Sequence, residues 1–261
     1  MEIEETGGGI GRPIGPREQE RLRRSRILVV GVGGLGAPAV LHLAGAGVGT
    51  IGLVDFDAVE ISNLHRQIIY RTPDLGRPKV TVAAERIAAS YPQVSVRCFS
   101  QRLSANNVSD IFPQFDFIID GTDRVTSKYL VNDGAVLCRI PFSHAGIMGF
   151  QGQTMTVLPG QSACFRCLFP APPPDGEMPT CQEAGIIGAL AGSIGLVQAI
   201  EALKYVLGIG TLLVNRLLIY DALGPSWRTV QLLPNRQCPL CGDQPTIHHV
   251  EPIGDANEEY R

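Results

Sequence analysis

The sequence predicts an α/β fold: a mostly parallel sheet with helices on both faces, continued by antiparallel strands and a cysteine-bearing C-terminal part. Three observations predict it. RILVV, residues 26–30, is a run of branched apolar residues too short for a helix but suited to a strand buried on both faces, and it breaks off into glycines at Gly31, Gly33, Gly34 and Gly36. Similar short runs, TIGLV and FDFIID, recur with helical patterns between them. Beyond Phe142 the pattern changes to glycine-rich turns and the alternation of QTMTVL, the mark of antiparallel pairing.

Composition narrows the class further. At 261 residues and 44% hydrophobic the chain can bury a large core, and a formal net charge of -3 points to neither nucleic acid nor an anionic membrane. The longest apolar stretch, residues 186–200, stops at Glu201, short of the roughly twenty residues a bilayer span needs, so a buried helix is expected. MEIEETGGGIG lacks the basic and apolar regions of a signal peptide. Seven cysteines, an odd number, argue against a disulfide framework and for metal binding, catalysis or burial in a cytoplasmic protein.

In chain order, residues 1–25 read as a glycine- and proline-rich arm followed by a short exposed helix over 17–24, in which Leu22 is the only large apolar residue. The remainder, 26–261, reads as a single domain with a nucleotide-binding half, 26–142, and a second half, 143–261. After the first strand the glycines permit a tight turn and close backbone approach, and a helix over 37–46 aims its N-terminal amides at an anion. Asp55 follows the second strand, about twenty residues on, where a carboxylate can accept ribose hydroxyls. This strand, glycine turn, helix, strand and acid series is the Rossmann-like nucleotide-binding pattern. The proline-punctuated stretch from Phe56 to Lys79 is too long for an ordinary connection and reads as functional. A helix (78–90), a strand (94–99), a short helix (106–112), a strand (115–120) ending in GTDR, and a helix (128–137) complete the first half. The cysteine region, a loop with the low-complexity patch PAPPPDGEMP, a long helix (184–207) and a strand pair complete the second.

Two constellations carry chemistry. CFRC at Cys164 and Cys167 and CPLC at Cys238 and Cys241 can clamp the two sides of a tetrahedral ion, and four thiolates make a closed, structural Zn²⁺ site. The competing readings, unrelated buried thiols or a redox CxxC, need coincidence or a helix start that CPLCGDQP lacks. Arg66, Lys79, Asp55, Asp57 and Asp123 all fall near strand ends or on the long loop, where two cations can hold a polyphosphate and a carboxylate can hold Mg²⁺ against it. Cys181, just before the long helix, is placed to be nucleophilic, whereas Cys98 and Cys138 read as inert core residues.

GVGGLG, LVDFD, SNLHRQ, the lysine of GRPK, DGTD, the paired CxxC and TCQEAG occur in this order across most of the chain. Together they resemble the MoeB/ThiF group of ubiquitin-activating-type enzymes. The resemblance implies adenylation of the C-terminal glycine of a ubiquitin-like sulfur carrier of the MoaD or ThiS type, ending in Gly-Gly, with ATP and Mg²⁺, in molybdopterin, thiamin or related sulfur-transfer biosynthesis. It implies a homodimer, a separate sulfur donor, and a carrier-facing second half. Gly34 would approach the nucleotide, Asp55 the ribose, Asn63, Arg66 and Lys79 the phosphates, and Asp123 the Mg²⁺ and triphosphate, with Gly33, Asp57, Ser62 and Arg124 lining the same nucleotide site. The match departs at Arg124 and Lys128, where members commonly carry asparagine and arginine, and in the arm, where Arg12 or Arg17 replaces an arginine supplied across the dimer. Alternatives are adenylation of a small-molecule carboxylate on the same site and a non-catalytic carrier-binding pseudoenzyme. A nicotinamide dehydrogenase would have no use for SNLHRQ or the paired CxxC.

Overall fold

The computed structural model describes residues 14–173 and 185–252. They form one eight-stranded sheet in the order β3-β2-β1-β4-β5-β6-β7-β8. β1 (Arg26–Val30), β2 (Thr50–Val54), β3 (Ser95–Phe99), β4 (Phe117–Asp120) and the start of β5 (Phe142–Met148) are parallel. β6 (Gln151–Val157), β7 (Arg216–Asp221) and β8 (Ser226–Gln231) continue it antiparallel.

Alternation along the central strands divides the core between the two faces. Ile27 and Val29 of β1, Ile51 and Leu53 of β2 and Ile119 of β4 pack with α2 (Gly36–Gly45), α3 (Lys79–Ser90) and the C-terminal part of a twenty-residue helix over Gly188–Leu207. Leu28 and Val30 meet α4 (Val108–Ile111), α5 (Val125–Leu137) and the cysteine region, which opens with the one-turn α6 (Phe165–Leu168). The long helix, α7, is apolar enough by length and composition to cross a membrane, but it packs on β4, β5 and β6. It also buries the carboxylate of Glu201, which accepts from the Thr156 hydroxyl at 2.6 Å and the Leu213 amide at 2.7 Å.

Four expectations need correcting. The first helix, α1 (Pro16–Arg24), is not merely exposed: Leu22 is buried and Arg21 donates to the Leu207 carbonyl at 2.7 Å, pinning α1 to the end of α7. Cys98 is exposed on β3, the edge strand, with its thiol donating to the Val80 carbonyl at 3.5 Å. α5 begins three residues before Lys128, so that lysine lies inside the helix rather than at its start. α7 begins at Gly188, later than the start expected at 184: residues 185–187 are irregular, and residue 184 itself lies outside the described residues.

Candidate active site

The chain runs outward from β1 to β2 and β3, then returns to place β4 on the other side of β1. The connections therefore part at the carboxyl ends of β1 and β4, which is where open α/β sheets bind ligands. Three glycines make that crevice possible. Gly31 has φ +84°, and a Cβ on it would lie 2.8 Å from the Gly121 carbonyl oxygen. A Cβ on Gly121 would lie 2.7 Å, and one on Gly36 only 1.9 Å, from the Gly31 oxygen. The turns after β1 and β4 thus interlock through bare backbone. Gly33 and Gly34 lie on top: Gly34 faces the Ala191 methyl and the aliphatic stem of Arg66 at 3.2 and 3.7 Å from where its Cβ would be.

The predicted charged residues fall into two linked groups around this crevice. Asp55, 8% exposed, accepts from the Val32 amide at 2.8 Å and the Asp57 amide at 2.9 Å. Burial pushes its carboxyl above the ordinary range, against the pull of Lys79 and those two amides. Lys79, buried at the first turn of α3, donates to the Asp57 carboxylate at 2.8 Å, so Asp55, Asp57 and Lys79 form one chain of contacts. On the long loop, a 3-10 turn over Ile61–Asn63 gathers Ser62, Asn63 and Arg66: Asn63 donates to the Ser62 hydroxyl at 3.0 Å, and Arg66 donates to the Ser62 carbonyl at 3.0 Å. This second group leans over Gly34. Asp123 and Arg124 are exposed just beyond the Gly121 turn. Cys181 and Arg12 lie outside the described residues.

Sequence reasoning missed the polar cluster beneath that turn. Asp120, at the end of β4 and fully buried, takes the Thr122 amide and hydroxyl on one oxygen, at 3.1 and 2.6 Å. Its other oxygen lies 3.0 Å from His144 Nδ1 and 3.5 Å from Lys128 Nζ. Burial would raise the Asp120 carboxyl, but Lys128 and the His144 hydrogen bond outweigh it and hold the group below the ordinary range. Burial also depresses His144, and its Nδ1 donates to the Asp120 carboxylate, which can only accept. The available signal was a charged residue closing an otherwise apolar strand.

The four CxxC cysteines do converge. Sγ separations are 4.0 Å for Cys164 and Cys167, 3.7 Å for Cys164 and Cys238, and 3.4 Å both for Cys167 and Cys241 and for Cys164 and Cys241. Four sulfurs about 2.3 Å from one ion would stand about 3.8 Å apart, so the cluster fits a tetrahedral metal such as zinc. Hydrogen bonds shared among the sulfurs push Cys164 far up and pull Cys167 far down from the ordinary thiol range. The cluster is moored from α5: Asn132 Oδ1 accepts from the Phe165 amide at 2.8 Å, and Asp133 takes Arg166 in a two-point ion pair at 2.7 Å. Asn235 adds an amide to Cys167 Sγ at 3.4 Å, the kind of outer contact that orients metal thiolates.

The ThiF family model matches residues 10–240. The chain belongs to the ThiF family. It is 46% identical over 238 residues to the sulfur carrier protein adenylyltransferase of Thermus thermophilus, covering 89% of this chain and 88% of that one. To the SAMP-activating enzyme E1 of Haloferax volcanii it is 42% identical over 230 residues, covering 88% and 85%. Among solved structures it is similar to E. coli MccB with ATP, with a TM-score of 0.76 at 20% identity over 86% of this chain and 69% of that one. At that identity the likeness to MccB concerns the fold alone. ThiF membership agrees with the resemblance read from the motifs.

Proposed function

We propose that this ThiF-family chain adenylates the C-terminal glycine carboxylate of a ubiquitin-like sulfur-carrier protein and releases pyrophosphate. One observation carries the reading: the glycine crevice, the Asp55–Asp57–Lys79 chain and Arg66 over Gly34 meet at one switch point, in a chain whose relatives are named for this activity. The carboxylate attacks the α-phosphorus, so two anions must approach and a third must leave; the work is charge neutralisation rather than proton transfer. Gly33 and Gly34 give the α-phosphate room, and Lys79 and Arg66 face the phosphate oxygens, with Ser62 and Asn63 shaping the turn that holds Arg66. Asp55 keeps a second acceptor position on each oxygen for the ribose hydroxyls, and Asp57 holds Lys79 in place.

Magnesium, when bound, would neutralise the triphosphate and its leaving group; Asp123 offers the hard oxygen donor such an ion takes, with Arg124 beside it. Zinc on Cys164, Cys167, Cys238 and Cys241 would have a closed shell and so a structural role in the half 143–261, leaving the half 26–142 to the nucleotide. We further read the enzyme as a cytoplasmic homodimer served by a separate sulfur donor, with Arg17 on α1 or Arg12 completing a neighbouring site. Cys181 we assign to the step after adenylation. Cys181→Ala is expected to retain ATP–pyrophosphate exchange while losing any reduction-sensitive carrier adduct on non-reducing gels; loss of exchange in the folded variant would contradict that division.

The deciding experiment is ATP–pyrophosphate exchange with and without carriers ending in Gly-Gly. Exchange that needs both Mg²⁺ and the intact Gly-Gly end is the expected result. Exchange driven by a free small carboxylate without any carrier, or none with any carrier, would overturn the proposal.

A further inference from the structure

Strands β1 and β2 end in Val30 and Val54, but β4, between β1 and β5, ends in a buried carboxylate. Burying a charge is costly unless it is paired, and a pair inside a core is often no more stabilising than apolar side chains of the same size. Asp120 is paired twice over, by Lys128 and His144, and its other oxygen is given wholly to Thr122. Lys128 Nζ also donates to the Thr122 carbonyl at 2.7 Å and the Ala145 carbonyl at 2.6 Å. Thr122 is consequently gripped at its amide, its hydroxyl and its carbonyl, and the residue after it is Asp123. One step earlier, Gly121 is locked against the Gly31 backbone. Behind the cluster, Gln198 of α7 donates to the carbonyls of Asp120 and Ser143 at 2.9 and 3.0 Å, and the His144 ring packs on Phe165 at 4.5 Å, between the cysteines of the first CxxC.

We propose that Asp120, Lys128 and His144 are positioning residues for the nucleotide site, fixing through Thr122 the direction in which Asp123 presents its carboxylate to the metal–triphosphate. The proposal rests on the role given to Asp123 above. It also accounts for Lys128, whose ammonium is spent on Asp120, Thr122 and Ala145 and so does not contact the triphosphate. His144 and its ring contact make the cysteine cluster the outer support of the same turn.

Thr122→Val removes only the hydroxyl that Asp120 accepts, His144→Leu removes the imidazole donor, and His144→Asn restores an N–H donor near the position of Nδ1. Each is purified as the full chain and checked for melting temperature. ATP affinity is then measured by calorimetry in EDTA and with Mg²⁺, and exchange is titrated with Mg²⁺. Thr122→Val and His144→Leu are expected to raise the Mg²⁺ concentration for half-maximal exchange by about tenfold, the scale of one lost hydrogen bond to a charged group. Metal-free ATP affinity should stay within about twofold, since only the metal-facing carboxylate is misdirected. His144→Asn should recover most of the Mg²⁺ response. If the variants melt earlier yet keep the wild-type Mg²⁺ midpoint, the cluster is structural only and the proposal fails; should His144→Leu not fold, Thr122→Val decides. Asp123→Asn, run alongside, separates the two levels. A fully active Asp123→Asn would overturn the site reading and this proposal with it, whereas an inactive Asp123→Asn beside unaltered Thr122→Val and His144→Leu would overturn the positioning role alone.

Discussion

The glycine crevice and the cysteine cluster solve opposite problems with the same means. In the crevice, the charges grade from rim to floor: Asp123 is exposed and Arg66 half-buried, while Lys79 is buried and held by one carboxylate. In the cluster, four sulfurs turn inward on each other, and the surrounding amides and the Asp133–Arg166 pair complete the shell. A site that must release its ligand each turnover keeps its charges within reach of solvent; a site that holds one ion permanently closes around it. The difference should be visible in what mutation damages.

The largest effect is expected at the closed site. Cys238→Ala should purify with little or no zinc, against one zinc per chain for the wild type by elemental analysis. It should also melt far earlier, because structural zinc accounts for on the order of 10 kcal/mol in small zinc-dependent folds. At a temperature where it remains folded it should still exchange pyrophosphate. A Cys238→Ala protein that melts like the wild type but is inactive would reverse the comparison, making the cysteines catalytic.

The open site should respond the other way. Asp123→Ala is expected to lower carrier-dependent exchange by about 10²–10³, the scale seen when a single charge-stabilising group is removed from an active site. Its melting temperature should hold, since the side chain is exposed. A large loss of stability together with activity would place Asp123 in the scaffold and blur the two regions.

How much of this contrast was legible in the sequence follows from how locally each part is built. The parallel strands were readable because double-sided burial demands uninterrupted apolar runs, and the observed β1 and β2 coincide with RILVV and TIGLV. The cysteines were readable because one turn of chain brings each CxxC pair together. The buried Asp120, Lys128 and His144 were not, since they come from β4, α5 and β5 and share no spacing that any single element would impose. Leu22 misled because the helix is strongly polar on average, which reads as exposure although its one large apolar residue is the one that buries. Cys98 misled because an apolar strand pattern does not reveal that its strand is the sheet's edge. The contact between Lys79 and Asp57, like the placing of Arg66 over Gly34, depends on the path of a long loop whose course only the folded chain sets.

The smallest effect, and the one that tests whether function and stability oppose each other inside the crevice, is expected at Asp55. Burial raises its folded-state carboxyl above the ordinary range, outweighing the help of Lys79 and the amides of Val32 and Asp57. Between the ordinary value and the raised one, the folded protein therefore holds a proton that the unfolded chain has lost. Stability must then fall as pH rises through that window, and the penalty is fully present above the folded value. Asp55→Asn cannot ionise and escapes it. The variant also loses one acceptor oxygen, so an amide left without a partner lowers its stability by an amount that does not depend on pH. The quantity to follow is thus the melting temperature of the wild type minus that of Asp55→Asn, which should shrink by a few degrees on going from acid to neutral pH. ATP affinity of the variant should fall above that window, where the wild-type carboxyl is ionised and the ribose hydroxyls would lose a charged acceptor. A difference in melting temperature that stays constant across the range, or grows toward neutral pH, would mean that Asp55 ionises without cost. The crevice would then hold its carboxylate as comfortably as the cluster holds its sulfurs.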